Sequence, residues 1–215
     1  MAWNAAQCGL AVALLTLARP LRAASSVTSE SVCDVGADYA LGVEDYPEAI
    51  RLHENILRRD PSDALAHYHL GFAYAMSHDA AGELREYRQA EQLGLRQWDL
   101  FLNLGILYLE NHDNSAAIAA LTTAAKLGPR HPEAHFNLAL AYERAGLLLA
   151  ARREILASLN LQPDQPDAQN TLAVVYAEAG DYIDAREVWT ELVRVDPDNQ
   201  SALKNLAALD HAASE

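Results

Sequence analysis

The feature that most constrains this chain is a repeat of 34 residues that runs through more than half of its length. A Leu followed by Ala or Gly recurs at this spacing, at Leu70, Leu104, Leu138, Leu172 and Leu206. The same register repeats a tyrosine, an alanine and a proline, at Tyr74, Tyr108, Tyr142 and Tyr176, at Ala117, Ala151 and Ala185, and at Pro129, Pro163 and Pro197. Because no insertion interrupts the count, the chain is built from copies of one structural unit.

Each copy contains two apolar-periodic segments with a break between them. In the last complete copy, Leu172 and Val175 have the spacing of one helix face. Gly180 predicts the end of the first helix, since glycine accepts a positive φ, and Asp181 predicts the cap of the second. Pro197 prevents the second helix from continuing. Neither helix can bury its apolar face alone, so the copies must stack on one another.

This pattern resembles the tetratricopeptide repeat (TPR) family of bacterial type, which has an aromatic residue, Leu-Gly, Tyr, Gly, Ala, aromatic, Ala and Pro at fixed positions. The resemblance implies an all-α fold, a right-handed α-solenoid of stacked helix-turn-helix repeats with a C-terminal capping helix. The expected divisions are an apolar segment that resembles a signal peptide (1–24), a linker (25–29), a degenerate TPR (30–63), four clear TPRs (64–97, 98–131, 132–165 and 166–199), and a capping helix with its tail (200–215). In the capping helix we expect Leu203, Leu206, Ala207 and Leu209 to face inward.

Two departures from the pattern bear on the turns and the helices. His78 and His112 replace the turn glycine. Histidine tolerates left-handed backbone better than most residues, so we expect both turns to persist. Glu83 stands at the position of the small alanine and follows Gly82. We therefore expect the second helix of repeat 64–97 to be shifted or loosened.

The amino-terminal segment differs in composition from the rest, because no Asp or Glu occurs before Glu30. The apolar run from Cys8 to Ala18 is too short to span a bilayer but suits a secretory signal, with cleavage near residues 23–26. No Lys or Arg precedes this run. We expect export to a periplasmic or other extracytoplasmic compartment. A membrane anchor through residues 1–24, or a disordered or mis-started tail on a cytoplasmic protein, stays open.

The charge and the histidines limit the chemistry. The net charge of −14 repels phosphate backbones, so we expect no nucleic-acid partner. His67 and His69 face different directions on a helix, and His131 lies outside the helix that holds His135. We therefore expect no metal and no cofactor. Catalysis is a remote alternative that would need Cys33 with His53, and we expect no enzyme.

The resemblance implies a non-catalytic protein-interaction scaffold, whose first helices form a concave groove for a partner polypeptide. The candidate partner-binding residues on these helices are Tyr68, His69, Phe72, Asn103, Ile106, Glu110, Phe136, Asn137, Leu140 and Arg144. Chaperone-tail-binding members grip an acidic carboxyl terminus with Lys and Arg at repeat positions 2, 5 and 6. The four clear repeats have neither residue there. We therefore expect a basic or apolar-basic protein or peptide, whose binding weakens with salt. The alternative is a self-assembling or envelope-associated structural protein that uses its convex faces or ends.

Overall fold

The computed structural model of this chain describes residues 34–212, with the side chains of residues 34–210. This part of the chain forms eleven α-helices and contains no strand, as the repeat predicts. The helices are α1 (Val35–Gly42), α2 (Tyr46–Arg59), α3 (Ala64–Met76), α4 (Ala80–Gln92), α5 (Trp98–Glu110), α6 (Asn114–Leu127), α7 (Pro132–Arg144), α8 (Leu148–Leu161), α9 (Pro166–Glu178), α10 (Tyr182–Val195) and α11 (Gln200–Ala212). The signal-like segment, the linker and Cys33 lie outside the described residues. No helix of residues 34–212 combines the length and the apolarity that a bilayer crossing requires.

The chain divides into two compact units, Met1–Leu107 and Tyr108–Glu215, with the boundary inside α5. In the described part of the first unit, α1 packs on α2, α2 on α3, and α3 on α4. In the second unit each helix from α6 to α11 packs on the next helix along the chain. Each unit is therefore a stack of helical hairpins, in which the apolar face of one hairpin is covered by its neighbour.

The turn between the two helices of a hairpin uses the same left-handed backbone in all five repeats. The residues at this position have φ values between 59° and 87°, at Glu44, His78, His112, Gly146 and Gly180. The prediction that His78 and His112 keep the turn is confirmed. The following aspartates Asp45, Asp79 and Asp113 cap their helices with a side-chain hydrogen bond. Asp181 takes the same position, but its side chain does not make the predicted bond.

The second helix of repeat 64–97 is not shifted, contrary to expectation. It begins at Ala80, the position at which α2, α6, α8 and α10 also begin in their repeats. A Cβ on Gly82 would lie 2.8 Å from Cγ of Tyr74, so the glycine makes room for the tyrosine ring. Glu83 is accommodated in register with only 2% of its surface exposed.

The capping helix α11 is rotated relative to the prediction. Ala202 is fully buried with Ala173, Ala185, Trp189 and Leu192, and Leu206 and Leu209 pack against this cluster. The predicted inward positions of Leu203 and Ala207 are wrong, since Leu203 is 38% exposed and Ala207 is exposed. The equivalent position one repeat earlier, Ala168, is also fully buried, so α11 buries the same repeat position as α9.

Candidate functional site

The predicted partner-binding residues divide by exposure. Five of them are buried in the structure, namely Tyr68, His69, Asn103, Ile106 and Asn137. Three are half-buried, namely Phe72, Phe136 and Leu140, and two are exposed, namely Glu110 and Arg144. The buried side chains offer no surface to a partner in this conformation. The use of the remaining residues by a partner stays a prediction.

The buried members in the first unit belong to an internal polar network. The Tyr68 ring stacks on Tyr87 with centroids 5.6 Å apart, and Nδ2 of Asn103 donates a hydrogen bond to the Tyr87 hydroxyl at 3.3 Å. Burial, with the nearby charge of Asp99, raises the pKa of Tyr68 well above its usual value. Burial likewise raises the pKa of Asp99. Tyr68 and Asn103 therefore belong to the interior of the unit, where they contact Tyr87 and not a surface that a partner could reach.

A second set of buried polar side chains lies where α1, α2 and α3 of the same unit meet. Nδ1 of His69 on α3 lies 3.2 Å from Oδ1 of Asp38 on α1. Nδ1 of His53 on α2 hydrogen-bonds the Ala49 carbonyl at 2.8 Å, and its ring stands at 88° to that of His69. Burial, with the charge of His69, lowers the pKa of His53 to about 4, so this ring is neutral at pH 7. Because His53 is 1% exposed, it is a poor catalytic base for a substrate in solution.

Half-buried apolar side chains occur in the second unit together with the half-buried Glu143 and the exposed Glu178. On α7, Phe136, Leu140 and Glu143 follow one helix face at i, i+4 and i+7, and on α9, Val174 and Glu178 do so at i and i+4. Burial raises the pKa of Glu143, the charge of Glu178 raises it further, and Arg144 opposes both. The two carboxylates therefore repel each other across α7 and α9. We call these five residues the acidic-apolar face.

The predicted partner-binding residue Arg144 makes hydrogen bonds with residues of α5 and α6 in its own unit. Its Nη1 donates a hydrogen bond to the Leu109 carbonyl at 2.9 Å. Its own carbonyl accepts one from Nδ2 of Asn114 at 3.0 Å. Arg144 thus links the start of α6 and the end of α5 to α7. Its charge offsets only part of the rise in the Glu143 pKa, which stays above its usual value.

Sequence reasoning selected the first-helix positions, and Glu143, Val174 and Glu178 also occupy groove-lining positions of these helices, although the ten candidate residues do not include them. Their signal is an acid at position 12 or 13 beside an apolar residue at position 9. Sequence reasoning missed the cluster of Asp38, His53 and His69. These residues lie on three different helices, and spacing within one helix does not show that they are close in space.

The comparisons with known proteins agree with this architecture. The family model described as Tetratricopeptide repeat matches residues 36–94, 102–168 and 170–209. The structure of YrrB, described as a TPR protein with an unusual peptide-binding site, is 24% identical, with a TM-score of 0.75 over 79% of this chain and 87% of YrrB. MamA from Desulfovibrio magneticus RS-1 is 18% identical, with a TM-score of 0.68 over 76% of this chain and 93% of that structure.

No curated protein matches the chain. The solved structures establish the fold, and the expected TPR solenoid class is thereby confirmed. The family match covers most of the chain, including the weak first repeat and the capping helix. The chain belongs to the tetratricopeptide repeat family.

Proposed function

We propose that this protein is a non-catalytic scaffold that holds a basic, partly apolar segment of a partner polypeptide against the acidic-apolar face. The observation that carries the proposal is Glu143, a half-buried carboxylate beside Glu178 whose pKa is raised by burial and by that like charge. Two carboxylates in this arrangement are stabilised when a cation binds between them, because the cation offsets their repulsion. A Lys or Arg from a partner supplies that cation.

The apolar members of the face favour the same kind of partner. Leu140 and Phe136 are half-buried and lie one and two helical turns, respectively, from Glu143 on α7. An amphipathic or extended segment with apolar and basic side chains would cover both parts of the face. The peptide-binding site of YrrB, which has the same fold, supports a polypeptide ligand.

Two labelled synthetic peptides test the proposal by fluorescence anisotropy, one alternating Lys with Leu and the other alternating Glu with Leu. We expect the Lys peptide to bind the full chain and the Glu peptide to bind at least about 10-fold more weakly. The double variant Glu143→Gln, Glu178→Gln is expected to weaken binding of the Lys peptide by about 10-fold, or roughly 1.4 kcal/mol. Added salt is expected to reduce binding as well.

A matched control separates the site from the general acidity of the protein. Asp184 and Glu187 are exposed acids on α10. The double variant Asp184→Asn, Glu187→Gln therefore removes two negative charges, as the test variant does, but from outside the proposed face. This control should leave binding within about twofold. Equal loss in both double variants would contradict the proposed face. Unchanged binding in both, with a mass that rises with concentration, would favour self-assembly through the exposed Leu149 and Ile183.

A further inference from the structure

Three side chains that bind metals converge where α1, α2 and α3 meet. Asp38, His53 and His69 each offer one ligand atom, and these atoms all lie within 4.8 Å of one another. The two histidines are almost completely buried, and the Asp38 side chain is 22% exposed. The cluster is therefore largely shielded from solvent, and Asp38 is its most exposed member.

The distances suit a metal ion after a small adjustment. A tetrahedral zinc site with bonds of about 2.0–2.1 Å places its ligand atoms roughly 3.4 Å apart. The distance between Nδ1 of His69 and Oδ1 of Asp38 is already 3.2 Å. Because the other separations are at most 4.8 Å, His53 needs to approach by no more than about 1.4 Å.

The hydrogen bond of His53 prepares the ring for this role. Its Nδ1 faces the Ala49 carbonyl at 2.8 Å, so in the neutral ring this nitrogen donates and Nε2 keeps its lone pair. Histidines that bind metals in proteins usually donate the other ring N–H to a carbonyl or a carboxylate, which fixes the tautomer and the orientation.

The repeats themselves provide an internal comparison. At the position of Asp38 the later repeats have Phe72, Ile106, Leu140 and Val174, and at the position of His53 they have Tyr87, Leu121, Ile155 and Trp189. At the position of His69 they have Asn103, Asn137, Thr171 and Asn205. The packing of a repeat is thus satisfied by residues that bind zinc poorly. Ligating residues take all three positions only at the first repeat.

We propose that Asp38, His53 and His69 form a site for a divalent transition-metal ion of the zinc class. Two imidazoles and one carboxylate are a donor set that zinc accepts, with water as the fourth ligand. The ion ties the short helix α1 to α2 and α3. It thereby strengthens the repeat that has Gly36 and Ala40 where the later repeats have leucine and tyrosine.

Zinc chloride added to the chelator-treated, tag-free full chain tests the site by calorimetry. We expect one Zn²⁺ to bind per chain, and Asp38→Asn and His69→Gln to weaken binding by at least about 10-fold. His135→Gln is the control, because His135 also lies beside a carboxylate, with Nδ1 2.9 Å from Glu154, but belongs to no cluster of three ligand residues within residues 34–210. This control should bind zinc as the wild type does.

A stability measurement keeps the test decisive if the buried His69→Gln variant fails to fold. Zinc is expected to raise the midpoint of thermal unfolding of the wild type and of His135→Gln, and to leave that of Asp38→Asn unchanged. Wild-type zinc affinity in Asp38→Asn would overturn the site. So would the failure of the wild type to bind zinc, or a loss of binding in His135→Gln as large as in Asp38→Asn.

Discussion

Among the individual side chains, the most informative are two histidines at the same repeat position, His67 and His135. Nδ1 of His67 lies 2.7 Å from Oε2 of Glu86, and its Nε2 lies 3.2 Å from the Pro61 carbonyl. The arrangement recurs in His135, Glu154 and Pro129. Since only the protonated imidazole can donate from both nitrogens, the His67 ring is placed to carry a positive charge.

The His67–Glu86 pair predicts a pH dependence of stability. Burial is the largest influence on the pKa of His67 and lowers it, but the bonds to Glu86 and Pro61 outweigh burial and raise the pKa above 6.5. Burial also opposes the charge of Glu86, and the bonds to His67 and Arg85 outweigh it and lower that pKa below 4.5. The contribution of His67 to the free energy of unfolding is complete below pH 6.5 and is lost as the pH rises through the folded-state pKa of His67. The contribution of Glu86 is complete above pH 4.5 and is lost as the pH falls through the folded-state pKa of Glu86.

The pair therefore stabilises most between these two values. We expect Glu86→Gln to lower the free energy of unfolding by about 1–3 kcal/mol near pH 5.5 and by clearly less near pH 9. Urea unfolding of wild type and variant at both pH values measures the difference. His67→Gln should show the same trend, and a larger loss at pH 9 than at pH 5.5 would refute the proposed charge state.

Among the helices, the contact between α3 and α4 depends on one missing side chain. A Cβ on Gly71 would lie 2.6 Å from Cδ1 of Tyr87, whose ring is fully buried. The next repeat keeps a glycine, Gly105, with Leu121 at the position of Tyr87, and the two repeats after it have Ala139 and Ala173 at the position of Gly71. Gly71 is therefore needed because the Tyr87 ring on α4 occupies the space that a Cβ would fill.

Gly71→Ala is expected to destabilise the protein despite the better helix propensity of alanine. Overpacking of a core costs about 1–3 kcal/mol, against a gain of about 1 kcal/mol from propensity. Gly36→Ala is the control, because the nearest atom to its added Cβ is Oδ1 of Asp34, at 3.3 Å. Thermal unfolding should show a lower midpoint for Gly71→Ala and an equal or higher one for Gly36→Ala. A stabilised Gly71→Ala variant would mean that the Tyr87 ring moves freely.

The periodicity predicts the helices and their breaks, because repeated small and apolar residues fix which face of each helix is buried. It does not fix how deeply a given side chain is buried. Asn103 and Ile106 occupy groove positions in the repeat, yet both are fully buried. In α11 the prediction is right for Leu206 and Leu209 and wrong for Leu203 and Ala207, since a lone terminal helix has no following copy to confirm which side is buried. The cluster at His53 was equally hidden, because sequence distance does not show which repeat positions meet across a hairpin.

Over the entire chain, charge is distributed unevenly between the amino-terminal segment and the repeats. All thirty acidic residues lie from Glu30 onward, and the apolar run from Cys8 to Ala18 stands in the acid-free part. We propose export on this basis, and we expect the protein purified from its native cell to begin within or directly after residues 23–26. Amino-terminal sequencing with intact mass measures this. Met1 retained in a membrane fraction would indicate an anchor instead, and Met1 retained in a soluble cytoplasmic fraction would refute export.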